Sequence, residues 1–193
     1  MRFATALLFL LAALPAGGQL SDQELPNGIV LVAKPSLVDP NFTQTVVLVT
    51  QAPDGSTVGV VLNRPTEQRH EKTGDRIYEG GPVMREVRLA LFSAERRPAA
   101  SAFHVTKGVY LSMHPANIDA LPSWRGQRLR FFTGFAGWAP GQLRRELQLD
   151  AWFVLPVTDD VLFRADTRGL WKELIEKARG SRAEGAILDM LRS

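Results

Sequence analysis

Apolar residues occur along this chain in short β-branched runs more than in long helical stripes. The run GIVLVAKPSL, from Gly28, opens the folded part as a strand, and DPNF turns the chain. TQTVVLVTQ, Thr43 to Gln51, is a second strand, and Pro53, Asp54 and Gly55 supply the backbone angles of a tight hairpin. TVGVVLNRP, Thr57 to Pro65, is then the return strand. Nearly continuous Val and Leu in both arms predicts substantial burial of the hairpin. Residues 66–77 are polar, contain Gly74 and lack an apolar period, which predicts an exposed loop, and YEGGPV, Tyr78 to Val83, predicts a glycine-rich turn. RLALFSA and FHVTKGVYLSM read as a strand pair across the loop ERRPAAS.

The helical signals are late and brief. MHPANIDAL predicts a short helix with Pro115 in its first turn and Pro122 ending it. LRFFTGF returns to β character, and PGQLRREL predicts a helix beginning at Pro140, with Leu143 and Leu147 on one face. AWFVLPV is a further strand, DDVLFRA a short helix, and TRGLWKELIEKARG an amphipathic helix burying Leu170, Leu174, Ile175 and Ala178, capped by Asp166 or Thr167. GAILDMLRS reads as a short helical tail. Strands with short helices inserted late, and no regular βαβ alternation, predict a single α+β domain.

The 193 residues suit one domain, and 45% hydrophobic with 22% charged composition is that of a soluble globular chain. The N-terminus adds a compartment. Met1 and Arg2 are followed by an apolar run to Leu14 and by small residues Ala16, Gly17 and Gly18, the pattern of a secretory signal peptide over residues 1–18, with the domain at 19–193. The run is shorter than the roughly 20 residues a spanning helix needs, so no stable membrane anchor is expected once the leader is removed. There are no cysteines, which excludes disulfides, thiolate metal sites and lipoprotein attachment. The net charge of +3 comes from scattered arginines rather than a basic arm, which disfavours direct nucleic-acid binding.

Sequence motifs for common chemistries fail. No G-x-S-x-G elbow occurs, and Gly134, Gly137 and Gly141 have neither dinucleotide nor P-loop spacing. His70, His104 and His114 lack metal-ligand spacing, so no metal or cofactor is expected. Among the candidate acids, Asp39 before Pro40 reads as a turn residue, Asp159 and Asp160 as the acidic start of a helix, and Glu79 and Glu146 carry no motif. Asn63-Arg64-Pro65, at the end of a buried strand, either faces a crevice or simply ends the strand.

Blocks in order along the chain carry a resemblance. NGIVLVAKPSLVDPNFTQTVVLV, GVVLNRP, YEGGPV, FTGFAGWAPGQLRREL and AWFVLPVTDDVLF, followed by a helix bearing Trp171, resemble the YqgE/AlgH family of bacterial proteins over nearly all of the chain after the leader. The resemblance implies a compact α+β fold with a mixed, β-barrel-like sheet and no established enzymatic activity. One branch bears a name tied to regulation of alginate synthesis. Members are thought of as cytosolic, whereas this chain carries a leader. TQTVVLVTQ also departs from the arginine, serine and histidine usual there, so roles at those positions do not carry over.

Recurrent family features fall on Asp39, Pro40, Asn63, Arg64, Pro65, Gly80, Gly81, Pro82, Gly137, Trp138, Gly141 and Gln142. The resemblance thus locates a candidate ligand groove at Asn63, Arg64, Gly81, Trp138 and Gln142. Arg64 would pair with an acidic group, Trp138 would form a flat wall, and Asn63 and Gln142 would fix orientation. A Trp138 ring exposed beside Arg64 would open the groove; a buried one would make the stretch a fold-defining corner. The expectation is an exported, periplasmic, non-enzymatic protein binding a small molecule or a protein partner. Its alternatives are a cytosolic regulatory protein, and a hydrolase or transferase using Asp39 or Glu79 with Arg64.

Overall fold

A computed structural model describes residues 27–51, 57–124 and 126–180. The leader, the PDGS hairpin tip and the GAILDMLRS tail lie outside the described residues. The strands are β1 (Ile29–Ala33), β2 (Val46–Gln51), β3 (Thr57–Val61), β4 (Pro65–Arg69), β5 (Arg76–Glu79), β6 (Val83–Ser93), β7 (Phe103–Thr106), β8 (Val109–Ser112), β9 (Leu129–Trp138) and β10 (Trp152–Pro156). The helices are α1 (Pro115–Ala120), α2 (Gln142–Gln148), α3 (Asp159–Phe163) and α4 (Leu170–Gly180), with one 3-10 turn at Leu121–Ser123.

One sheet runs in the order β10-β1-β2-β3-β9-β6-β8-β7, with β5 adding to β9 in parallel and β4 pairing β5. It curls until its β7 edge meets the residues before β1, where the Asn27 and Gly28 N–H groups donate to the His104 and Val105 carbonyls at 3.1 and 2.9 Å. This is the mixed, barrel-like α+β sheet expected. Alternation sends Val30 and Val32 into one core with Leu48, Leu62 and Leu89. Ile29, Leu31 and Ala33 enter a second core with Val47, Val61 and Trp152. Both faces of β1 and β2 are therefore covered, which explains their unbroken apolar runs. Helix α4 closes the first core with Leu170, Leu174, Ile175 and Ala178, as its spacing predicts.

Four expectations are corrected. Residues 66–77 are not a loop but most of the β4–β5 hairpin; β4 is exposed on both faces, so no apolar alternation marks it. FHVTKGVYLSM is itself a hairpin, β7–β8, turning at Lys107-Gly108, and it is β8 that pairs with β6. Strand β9 continues through Gly134 and Gly137 to Trp138. Helix α2 begins at Gln142, two residues beyond Pro140, with Gly141 at its cap in the left-handed conformation.

β9 is the centre of the sheet. Its half before Gly134 lies beside β5, its half after lies beside β3, and β6 runs along its other edge. At the switch the chain at Gly80-Gly81 crosses β9 closely. The Gly80 N–H donates to the Thr133 carbonyl at 2.8 Å, and its carbonyl accepts from Val61 at 2.8 Å. Gly134 has φ +67°, and a Cβ there would stand 2.5 Å from the Gly81 carbonyl oxygen. Only glycine suits a position needing both a left-handed backbone and that approach.

Candidate functional site

The five expected groove residues are engaged by the fold. The Asn63 amide accepts from the Val46 N–H at 2.8 Å and donates to the Gln44 carbonyl at 2.9 Å, fastening the residue 39–45 turn to the end of β3. Arg64 donates to the Pro40 carbonyl at 3.4 Å in the same turn. Gly81 is buried at the β9 crossing, where a Cβ would meet the Phe135 backbone at 2.4 Å. Gln142 reaches back to accept from the Ala139 N–H at 3.2 Å and donates to Glu146 at 3.1 Å. Trp138 is 4% exposed, and its indole N–H donates to Glu146 Oε2 at 2.9 Å; the Trp152 indole donates to the same oxygen at 3.0 Å. Phe42 stacks on Trp138 with centroids 6.0 Å apart and meets Trp152 edge-on at 5.8 Å.

The ring is thus inside the second core rather than exposed beside Arg64, and the RFFTGFAGWAPGQLRREL stretch is a corner. The unexpected member is Glu146, whose carboxylate gathers the two indoles and the start of α2. The pairing behind the hydrolase alternative is not assembled either. Asp39 accepts from the Asn41 N–H at 2.8 Å as a turn residue, Glu79 faces Arg85 at 3.9 Å, and neither forms an ion pair with Arg64. His70 stacks on Phe131 with centroids 4.0 Å apart, His104 stacks on Tyr110, and His114 caps α1. Among the described residues no group of three or more His, Asp or Glu side chains is placed to hold a metal ion.

Open space lies elsewhere, around the segment between α1 and β9. A cleft of about 610 Å³ is lined by residues 93–99, Lys107, Gly108, Trp124 and residues 126–128. Arg96, Arg97, Lys107 and Arg128 bring positive charge to it, and Glu95 is the one acid in this lining. Trp124 is 38% exposed there, held edge-on by Phe92 at 5.8 Å. Arg128 is fixed by Asp159 at 2.8 Å and lies over the Phe163 ring, whereas Arg96 and Lys107 have no ion-pair partner among the described residues. A neighbouring cleft of about 420 Å³ shares Trp124, Gln127 and Arg128. The Gln127 amide donates to the Leu121 carbonyl at 2.9 Å, while its buried Oε1 has no partner. These residues carry no motif, and the scattered arginines of the sequence meet only through the curl of the sheet.

A third space, of about 220 Å³, is lined by Asp75, Arg76, Tyr78, Leu129, Arg130, Phe163 and Ala165. Arg130 shares a face of β9 with Phe132 and is 4% exposed. It donates to the carbonyls of Leu62, at 3.2 Å, and Arg164, and lies 4.4 Å from the centre of the Tyr78 ring. Burial lowers its pKa from the ordinary arginine value, with Tyr78 acting the other way.

Curled sheet and short late helices define an α+β protein with open clefts at one end. The AlgH-like family model (DUF179) matches residues 30–183, and the chain belongs to that family. A UPF0301 protein of Thermobifida fusca is 38% identical over 181 residues, covering 81% of this chain and 89% of the relative. One from Streptomyces coelicolor is 33% identical over 176 residues, with the same coverages. The solution structure of the AlgH protein from Pseudomonas aeruginosa has the same fold, with TM-score 0.64 at 24% identity over 91% of this chain and 96% of that one. The crystal structure of protein DIP2367 from Corynebacterium diphtheriae has TM-score 0.63 at 23% identity, over 80% and 87%. No described helix is long and apolar enough to cross a membrane.

Proposed function

We propose that this protein is an exported, non-enzymatic binding protein that holds an anionic small molecule in the cleft around Trp124. The observation that carries the reading is the combination of a half-exposed indole with Arg96, Lys107 and Arg128 around one open space. Guanidinium and ammonium groups supply charge-assisted hydrogen bonds, and the indole face supplies a flat apolar wall. Arg128, already fixed by Asp159, is a positioned donor; Arg96 and Lys107 have charge to spend on a ligand. The N-terminal leader pattern is what supports export.

Titration with inorganic pyrophosphate, followed by tryptophan fluorescence, tests the site. A saturable change is expected, lost in Trp124→Phe and weakened roughly tenfold in the double variant Arg96→Ala/Lys107→Ala, with weakening by added salt. An unchanged response in both variants would overturn the site. N-terminal sequencing of the protein from fractionated cells tests export: a mature start near Gln19 in the exported fraction is expected, and intact Met1 in the cytosol overturns it.

A further inference from the structure

Arg130 presents an uncompensated charge. A guanidinium this deeply buried costs several kcal/mol unless its charge and its five N–H groups are satisfied. Two carbonyls, of Leu62 and Arg164, and the face of Tyr78 attend it, and no carboxylate pairs with it among the described residues. The acids Asp160 and Glu173 are spent on another arginine, because both pair with Arg164. The 220 Å³ space adjoins Arg130. At about 30 Å³ per water molecule, it has room for a ligand of a few heavy atoms. Tyr78 also lines it, and the Tyr78 hydroxyl makes no hydrogen bond among the described residues. Leu129, Phe163 and Ala165 supply an apolar side.

We propose that this cavity binds a small monocarboxylate, its oxygens accepting from the Arg130 guanidinium and the Tyr78 hydroxyl and its short apolar part lying between Leu129 and Phe163. The planar fork of arginine matches the two oxygens of a carboxylate. The charge of the lining sets the valence: Arg76 and Arg130 face Asp75, leaving one net positive charge. A doubly charged phosphate would leave the site with net negative charge, whereas a monocarboxylate neutralises it. The site is separate from the Trp124 cleft and does not rest on that reading, since Trp124, Arg96 and Lys107 are not among its lining residues.

The experiment is ¹⁵N NMR of the arginine Nε–Hε groups in the full chain, titrated separately with acetate, glycine and inorganic phosphate. Acetate is expected to move one such resonance saturably, the resonance missing from Arg130→Lys. Tyr78→Phe, which keeps the ring under the guanidinium, should weaken acetate roughly tenfold. Ala165→Phe, at an exposed position on the rim, should abolish the response without unfolding the chain, and Arg96→Ala/Lys107→Ala should leave it unchanged. The proposal is overturned if acetate moves no such resonance, if the shift persists in Ala165→Phe, or if phosphate acts at lower concentration than acetate. Glycine binding more tightly than acetate supports it and assigns Asp75 to the ammonium group.

Discussion

Glu146 accepts from Trp138, Trp152 and Gln142, so two buried indoles and the first residue of a helix depend on one carboxylate. Removing a buried ring from this cluster leaves a cavity and deprives Glu146 of a donor. Trp138→Ala is therefore expected to cost about 3–5 kcal/mol in urea unfolding. Arg64→Ala removes one long hydrogen bond at the surface of the 39–45 turn and is expected to stay within about 1 kcal/mol. Equal costs for the two would contradict this division of labour. His70 gives a pH dependence at the same scale. Burial, then the Arg88 charge, lowers its pKa below 6.5, while Asp75 and Glu71 act in the opposite sense. The unfolded chain thus takes up this proton at higher pH than the folded one. The contribution is complete above about pH 6.5 and lost as pH falls through the lowered folded value. His70→Gln should flatten the fall of Tm between about pH 7 and 5.

Among the elements, the sheet crossing at Gly134 makes the sharpest demand. Gly134→Ala must absorb both a left-handed backbone and a 2.5 Å approach to the Gly81 carbonyl, so about 3 kcal/mol or more is expected. Gly141, also left-handed, would place its Cβ only 3.5 Å from the flexible end of Arg145, so its alanine variant should cost about 1 kcal/mol. Thermal unfolding of the pair separates conformation from crowding. What the sequence made legible follows the same physics. Strands β1, β2, β3 and β10 and helix α4 were readable because each repeats its apolar residues along a buried face. The β4–β5 ribbon was not, because Pro65 to Arg69 lies exposed on both sides and leaves no alternation to see. Trp138 and Gln142 were singled out by the family resemblance, but the burial of Trp138 and the capping hydrogen bonds of Gln142 decided their roles. Arg130 looked like one more scattered arginine, since its neighbours Phe131 and Phe132 are both buried, on opposite faces, and hide the period.

On the scale of the molecule, the curl brings segments distant in sequence around one end. Residues 93–99 meet Trp124 and residues 126–128, and Asp75 meets Phe163, so the clefts exist only in the assembled sheet. Their chemistry is invisible to local patterning for that reason. The order in which the strands are made has a kinetic consequence. β9 sits between β3 and β6 in the sheet, but is synthesised after β8, and β1 receives its outer partner β10 later still. At ribosomal rates, β3 ends about 4–15 s before the last residue of β9 emerges. During that interval the β3 edge of the nascent β2–β3 hairpin, rich in valine, has no β9 to pair with. Completing the sheet therefore waits for a nearly finished chain, in the slow regime of non-local pairing.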